Sequence, residues 1–339
     1  MMNLSSSARR ERQRGSALLV TLLIFAIGIA LVVPMYREYT LFLKRAANSF
    51  TAEQSSAYLR GGEELAALVL IQDRLLDREQ GAERDDLSEF WSRESQAYPL
   101  DEGGWLQGKL EDLQGRFHLN SLDAPPAQGQ RFSPAQEQFI RLLQTFTEPQ
   151  VSQQEAIRIT AAVLDWMDGD TQPRDLGAED LYYYDATPPY RAANRRFASV
   201  SELRAVANMS PDLYLALEPF LTVWPDTGER LKLNINTSPA QVLRTLNSTG
   251  DYQPLGEVEG EMLLQLRGEN GFESVEEFLN SPPMAERELA EELRQNLGLD
   301  SDYFLFSGET DIAGRITRLY SVLHRGQQVR ALVRSSGSL

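Results

Sequence analysis

The 339-residue sequence contains no cysteine. That absence excludes a disulfide framework, a thiolate zinc site and a cysteine nucleophile. It does not indicate a compartment, because a chain of this length buries a core without covalent staples. Histidine is almost missing too. His118 and His324 are the only two and lie far apart, which excludes a histidine-rich metal site and disfavours a Ser-His-Asp arrangement. Positive charge is scarce: 33 Lys and Arg stand against 49 Asp and Glu, for a formal net charge of −16. So acidic a chain is a poor partner for a phosphate backbone or an anionic membrane surface. The hydrophobic share of 42% still suffices for a core.

The N-terminus departs from this acidity. Residues 1–15 carry Arg9, Arg10, Arg12 and Arg14 against Glu11. Ser16 to Tyr36 then holds 21 residues without a charge. A helix of that length, at ~1.5 Å per residue, spans a hydrocarbon core of ~30 Å. The preceding arginines keep the N-terminus cytoplasmic and put the acidic bulk outside. The run is too long for the apolar stretch of an ordinary secretory signal. A plain single-pass anchor is one reading. The other uses Arg14-Gly15-Ser16, since a basic leader that ends in Gly directly before an apolar run resembles a type IV prepilin leader, cut between Gly15 and Ser16. Apolar residues at helical spacing continue through Leu41, Phe42 and Phe50, and again from Ala57 to Leu76. Pro34 predicts a kink or a loosened turn, and Gly61-Gly62 a break or bend.

Alternation over 105–122 predicts a β-hairpin turning at Gln114-Gly115. The segments 303–312, 315–325 and 327–334 predict three antiparallel strands, with turns at Gly314 and Gly326. Between these β regions the pattern is helical. Five Ser-started boxes, at Ser133, Ser152, Ser199, Ser238 and Ser274, each place Glu or Gln three residues on and predict short capped helices. Phe197–Leu203 and Phe272–Phe278 share an FxSVxE pattern, either two similarly capped helices or a true duplication.

The candidate site is the acidic stretch 165–185, DWMDGDTQPRDLGAEDLYYYD. Asp165 and Asp168 fall on one face near the end of the helix started at Ser152. Two carboxylates there repel each other and oppose the helix dipole. Asp170 follows, then Glu179 and Asp180 after a turn. A hard cation would offset the repulsion, and calcium takes ~6–8 oxygens from flexible loops of this kind. The stretch is not an EF-hand, because Pro173 replaces the required glycine. A solvated acidic loop and a pair of catalytic carboxylates are the competing readings.

The leader with Arg14-Gly15-Ser16, the G-x-L-x-D-x-Q-G-R-F run from Gly108, Asp165-Trp166-x-Asp168-x-Asp170, Gly177-Ala178-Glu179-Asp180 and Leu233-Asn234-Ile235-Asn236-Thr237 together resemble the K-type minor pseudopilins of bacterial type II secretion. The resemblance covers nearly the whole chain. It implies an α+β, pilin-like fold with a long N-terminal transmembrane helix, an antiparallel sheet and a large all-helical insertion. It implies a non-enzymatic subunit at the tip of the periplasmic pseudopilus, initiating or capping its assembly, beside the I- and J-type minor pseudopilins and the major pseudopilin. Processing by prepilin peptidase at Gly15 and Ser16 and methylation are implied as well, with the chain held in the inner membrane and its head in the periplasm. Asp165, Asp168, Asp170, Glu179 and Asp180 carry over as Ca²⁺ ligand positions. Most pilin-like subunits have Glu at the fifth mature position, where this chain has Val20; the K-type family shares that absence, which suits a subunit with none beyond it.

The division expected is a leader over 1–15, a membrane segment over 16–36, a periplasmic helix and first hairpin over 37–123, an inserted helical domain over 124–300, and C-terminal strands over 301–339. Two other functions remain in play at this level. A minor pilin of a type IV pilus would share the leader and head. A helix-hairpin-helix DNA-binding module resembles 231–300, but that stretch holds five basic against thirteen acidic residues and lacks the Gly-apolar-Gly hairpin.

Overall fold

A computed structural model of the chain describes residues 12–81, 83–93, 95–101, 103–226 and 231–337. Most of the expected leader, residues 1–11, lies outside them. The chain divides into two compact units, one ending at Ala57 and one starting at Tyr58.

Helix α1 (Arg12–Gln80) contains the charge-free run. The large apolar side chains from Leu18 to Val33 are each more than half exposed. This segment is long and apolar enough to cross a membrane. Helix α1 includes Pro34, and the break expected at Gly61-Gly62 is not found. A Cβ on Gly62 would lie 3.3 Å from the Phe306 ring, so the missing side chain permits close packing on a sheet. Leu59, Glu63, Ala66 and Leu70 form the buried stripe at helical spacing.

That sheet has five antiparallel strands. After α1 come β1 (Tyr98–Pro99) and β2 (Trp105–Asp112), and the order across the sheet is β1-β2-β7-β8-β9. The elements between β2 and β7, in chain order, are β3 (Phe117–His118), α2 (Pro134–Leu143), α3 (Gln153–Met167), α4 (Asp180–Tyr184), α5 (Pro211–Leu217), β4 (Leu221–Thr222), β5 (Leu233–Asn234), α6 (Ala240–Leu243), α7 (Glu257–Arg267), α8 (Val275–Leu279), α9 (Glu291–Gln295) and β6 (Leu297–Gly298). The last three strands are β7 (Tyr303–Ile312), β8 (Arg315–Arg325) and β9 (Val329–Ser335), where the alternation predicts them. Strand β7 runs between β2 and β8, in register from Trp105↔Asp311 to Asp112↔Phe304. Trp91, Leu110, Phe304, Phe306 and Leu323 fill the space between this sheet and α1.

The hairpin expected over 105–122 needs correction. Strand β2 pairs with β7, while β3 leaves the sheet and pairs in parallel with β4. The turn residues are held by the insertion instead. Gln114 Nε2 donates to Lys232 O at 3.1 Å, its Oε1 accepts from Asp302 N at 2.6 Å, and Gly115 faces Thr237 at a distance no Cβ would tolerate. Between residues 124 and 300 the regular structure is mainly helical rather than all-helical, with the strands β4, β5 and β6 in the short parallel pairs β3-β4 and β5-β6.

Those two pairs expose an internal duplication. In the first lobe β3 pairs with β4; in the second β5 pairs with β6. Each lobe opens on a short strand followed by Asn, Asn120 or Asn236. Asn120 Oδ1 accepts from Phe197 N at 2.8 Å and its Nδ2 donates to Phe197 O at 3.0 Å. Asn236 makes the same two bonds to Phe272, at 2.7 and 3.2 Å. Both lobes then carry Ser-Pro-Ala-Gln, a longer helix (α3 or α7), the FxSVxE turn, a short helix (α5 or α9) and a closing strand. The repeat thus extends well beyond two similarly capped helices. Each lobe has its own core, around Phe139 and Phe197 in one and Leu263 and Phe278 in the other. The difference between them is local. Residues 268–271 separate α7 from Phe272, whereas 168–196 separate α3 from Phe197. The acidic loop is an insertion into one of two similar lobes.

Candidate metal centre

Helix α3 delivers the first two carboxylates. Ser152 and Glu155 close its N-terminus reciprocally, Glu155 N donating to Ser152 Oγ and Ser152 N to Glu155 Oε2. Such boxes fix where a helix starts, and hence where its end falls. From Ile159 to Met167 the helix is buried on every side, a stronger burial than the one-sided stripe its spacing suggests. Asp165, in the last turn, is fully buried, and Asp168 is the extended residue that ends the helix. Glu179 comes back from the loop as the residue before α4 and is 3% exposed.

Asp165, Asp168 and Glu179 each bring a carboxylate oxygen within 4.8 Å of the others. Asp170 is exposed beside them, its Oδ1 accepting from Gln172 N at 2.8 Å. Asp180 faces another way: its Oδ1 accepts from Ala192 N at 3.1 Å and its Oδ2 lies 3.9 Å from Arg191 Nε. Three of the five expected carboxylates therefore converge, one borders them, and Asp180 is engaged by the 191–192 segment. Gly15 and Ser16 lie at the start of α1.

Two residues of this centre escaped the sequence reading. Arg174 Nη1 donates to Asp165 Oδ1 at 2.7 Å and also contacts Asp168 Oδ2. Its backbone N donates to Asp165 Oδ2 at 3.1 Å. Gly177 supplies bare backbone against Asp165, where a Cβ would stand 1.9 Å from Oδ2. Arg174 is the one cation of the acidic stretch, which was the available signal; the contact of Gly177 had none.

The centre is short of positive charge. Burial pushes Asp165 above the usual carboxylate range, against the pull of its bonds to Arg174. Burial, with the Asp165, Asp168 and Asp170 charges behind it, pushes Glu179 up to about 7. Both Glu179 oxygens are buried without a hydrogen-bond partner among the described residues. A buried carboxylate without partners is costly unless it meets a cation or a proton. The donor set is all oxygen, which suits a hard cation such as Ca²⁺.

A second acidic group, Asp73, Asp85 and Glu89, has a different character. Arg325 reaches into it, and Trp91 Nε1 donates to Glu89 Oε2. It is a structural ion cluster joining α1 to the sheet.

A long helix with an apolar, exposed N-terminal segment and a C-terminal part, from Leu59 on, laid on an antiparallel sheet defines a pilin-like subunit. Residues 115–226 and 233–300 match the family described as type II secretion system (T2SS), protein K. The first match covers one lobe and the second the other, including the stretch compared with a DNA-binding module. Type II secretion system protein K of Pseudomonas aeruginosa is 31% identical over 334 residues, covering 97% of this chain and 94% of the relative. That of Aeromonas hydrophila is 32% identical over 330 residues, 94% of each. The crystal structure of the GspK-GspI-GspJ complex from the enterotoxigenic Escherichia coli type II secretion system holds a similar chain, with a TM-score of 0.72 at 26% identity over 87% of this chain and 100% of that one. The chain belongs to the type II secretion system protein K family, the minor pseudopilins of that machinery.

Proposed function

We propose that this subunit stands at the tip of the periplasmic pseudopilus, in contact with I- and J-type minor pseudopilins, and initiates or caps its assembly. The observation that carries this reading is the similarity, over 87% of the chain, to a protein solved in a GspK-GspI-GspJ complex. Its role is structural rather than catalytic. The run from Ser16 to Tyr36 holds it in the inner membrane, and the chain after Tyr36 lies in the periplasm. Val20, in place of a membrane-embedded Glu, fits a subunit with no neighbour to pair beyond it. Co-expression of the full chain with I- and J-type minor pseudopilins and extraction in mild detergent tests the assembly. Retention of both through purification is expected; recovery of the chain alone would refute it.

Prepilin peptidase removes residues 1–15, leaving Ser16 as the N-terminus, and the processed chain is methylated. Mass analysis of membrane-extracted protein should find Ser16 first, and Gly15→Arg should leave the leader attached.

Asp165, Asp168 and Glu179 hold Ca²⁺, with Asp170 at the border. The partnerless, buried Glu179 carboxylate supports this assignment. The ion would supply positive charge to the loop and tie α3 to the start of α4. Calorimetric titration of the metal-stripped full chain with Ca²⁺ should show binding, lost in Asp165→Asn.

A further inference from the structure

The geometry points to Arg174 as a resident cation that holds the carboxylate centre together without metal and must leave it when calcium enters. This rests on the calcium reading above and adds what the ion has to displace.

One nitrogen, Arg174 Nη1, meets both Asp165 Oδ1, at 2.7 Å, and Asp168 Oδ2. A single atom in contact with two converging carboxylates occupies the point at which both aim, the point an ion bridging them would take. The substitution is incomplete in two respects. In charge, three carboxyl groups face one guanidinium, which cannot balance all three once they ionise. In reach, Arg174 satisfies two of the three and leaves both oxygens of Glu179, 3% exposed, without a partner. A divalent cation makes good both deficits, because it carries more charge at one point and coordinates in several directions. Nη1 and the ion compete for the same two oxygens, so the cations exchange.

The surroundings permit that exchange without refolding the loop. The Arg174 side chain is 44% exposed, so its way out leads directly to solvent. Its backbone N stays bonded to Asp165 Oδ2, and its carbonyl accepts from Gly177 N at 2.9 Å. Those bonds hold the turn 174–177 while the side chain rotates away. The guanidinium thereby prevents the mutual repulsion of Asp165 and Asp168 from opening the loop when calcium is low, and it sets the calcium concentration at which the loop tightens around Glu179.

The test uses the full chain in detergent micelles, stripped of metal and titrated with Ca²⁺ alone, beside Arg174→Met and Arg174→Lys. Methionine keeps much of the stem and removes the charge. Lysine keeps a charge but not the planar fork. The methionine variant should bind Ca²⁺ about tenfold tighter than the wild type, which corresponds to about 1.4 kcal/mol. In EDTA it should melt below the wild type, and in saturating Ca²⁺ at the same temperature. The lysine variant should fall between the two in affinity. Equal or weaker Ca²⁺ binding by Arg174→Met, with the wild type responding, overturns the exchange and leaves the calcium site standing. If the methionine variant does not fold, a lysine variant that binds Ca²⁺ no tighter than the wild type overturns it as well. No Ca²⁺ binding by any of the three overturns the calcium site and the exchange together.

Discussion

Arg325 on β8 and Asp85 after α1 are 240 residues apart in the chain and meet at 2.7 Å, Nη2 to Oδ1, with both side chains buried. The same guanidinium reaches Asp73 on α1 at 2.9 Å, donates to Ser301 O at 2.6 Å and lies over the Phe304 ring at 4.8 Å. One side chain therefore ties α1, the sheet and the chain returning from the second lobe. Arg325→Met would leave Asp73 and Asp85 buried without their counter-charge. Breaking a buried pair in this way costs ~3–5 kcal/mol. Thermal unfolding of the full chain should show a large loss of stability; a loss below ~1 kcal/mol would show that this tie is dispensable.

The same cluster makes stability depend on pH. Burial raises Asp85 to about 7, despite Arg325. Burial, reinforced by Asp73, raises Glu89 to about 8 and Asp77 to about 6. A carboxyl whose folded value is raised binds its proton more tightly in the folded state. Between its unfolded value, near 4, and its folded one, the folded chain holds more protons, so stability falls as pH rises. Glu63 opposes this in the acid range, because Arg334 and Ser321 outweigh its burial and lower its value. The metal-free chain should thus melt at a higher temperature at pH 6 than at pH 8.5. A melting temperature that is flat or rises across that range contradicts the cluster's assignment.

Much of this molecule is legible in local sequence, and the parts that are not share a cause. Helix α1, the boxes at Ser133 and Ser152 and the strands β7 to β9 each depend on neighbours within a few residues, and periodicity finds them. The box read at Ser238 fails because Ser238 Oγ donates to Asn234 O at 2.7 Å instead. The hairpin at Gln114-Gly115 fails because the partner of β2 lies beyond both lobes, where no local signal points. The duplication is half visible in FxSVxE, but the inserted loop 168–196 destroys the constant spacing that would reveal it. In the centre itself, helical spacing brings out Asp165 and Asp168. Arg174 reads as one basic residue in an acidic run until the fold aims Nη1 between two carboxylates.

The duplicated plan predicts matched costs in the two lobes. Asn120 and Asn236 are both buried, and each satisfies the N–H and C=O of one phenylalanine. Replacing either by Ala strands buried backbone groups, at ~1–3 kcal/mol for each unsatisfied group. Asn120→Ala and Asn236→Ala should each lower stability, measured by denaturant unfolding of the full chain. If one is strongly destabilising and the other neutral, the two lobes do not share this clamp.

Calcium should act on the folded chain through mass action. A ligand that binds only the native state stabilises it by ~2.7 kcal/mol at a hundredfold excess over Kd. Weak sites of extracellular modules have Kd of ~10⁻⁴–10⁻³ M, so millimolar Ca²⁺ is the range to examine. The full chain should melt lower in EDTA than in Ca²⁺, and Mg²⁺ should restore less, since it demands a tighter octahedral shell than a long loop offers. Gly177→Ala sharpens the test, because its Cβ would collide with Asp165 Oδ2 at 1.9 Å and force that carboxylate off its line. The variant should lose most of the Ca²⁺ response, and it should also melt below the wild type in EDTA, because the displaced carboxylate loses its bonds to Arg174. Equal melting in EDTA and in millimolar Ca²⁺ for the wild type would make residues 165–185 a metal-free acidic loop, with Arg174 as the cation of its carboxylates. A full Ca²⁺ response in Gly177→Ala would instead keep the ion and remove Asp165 from its ligands.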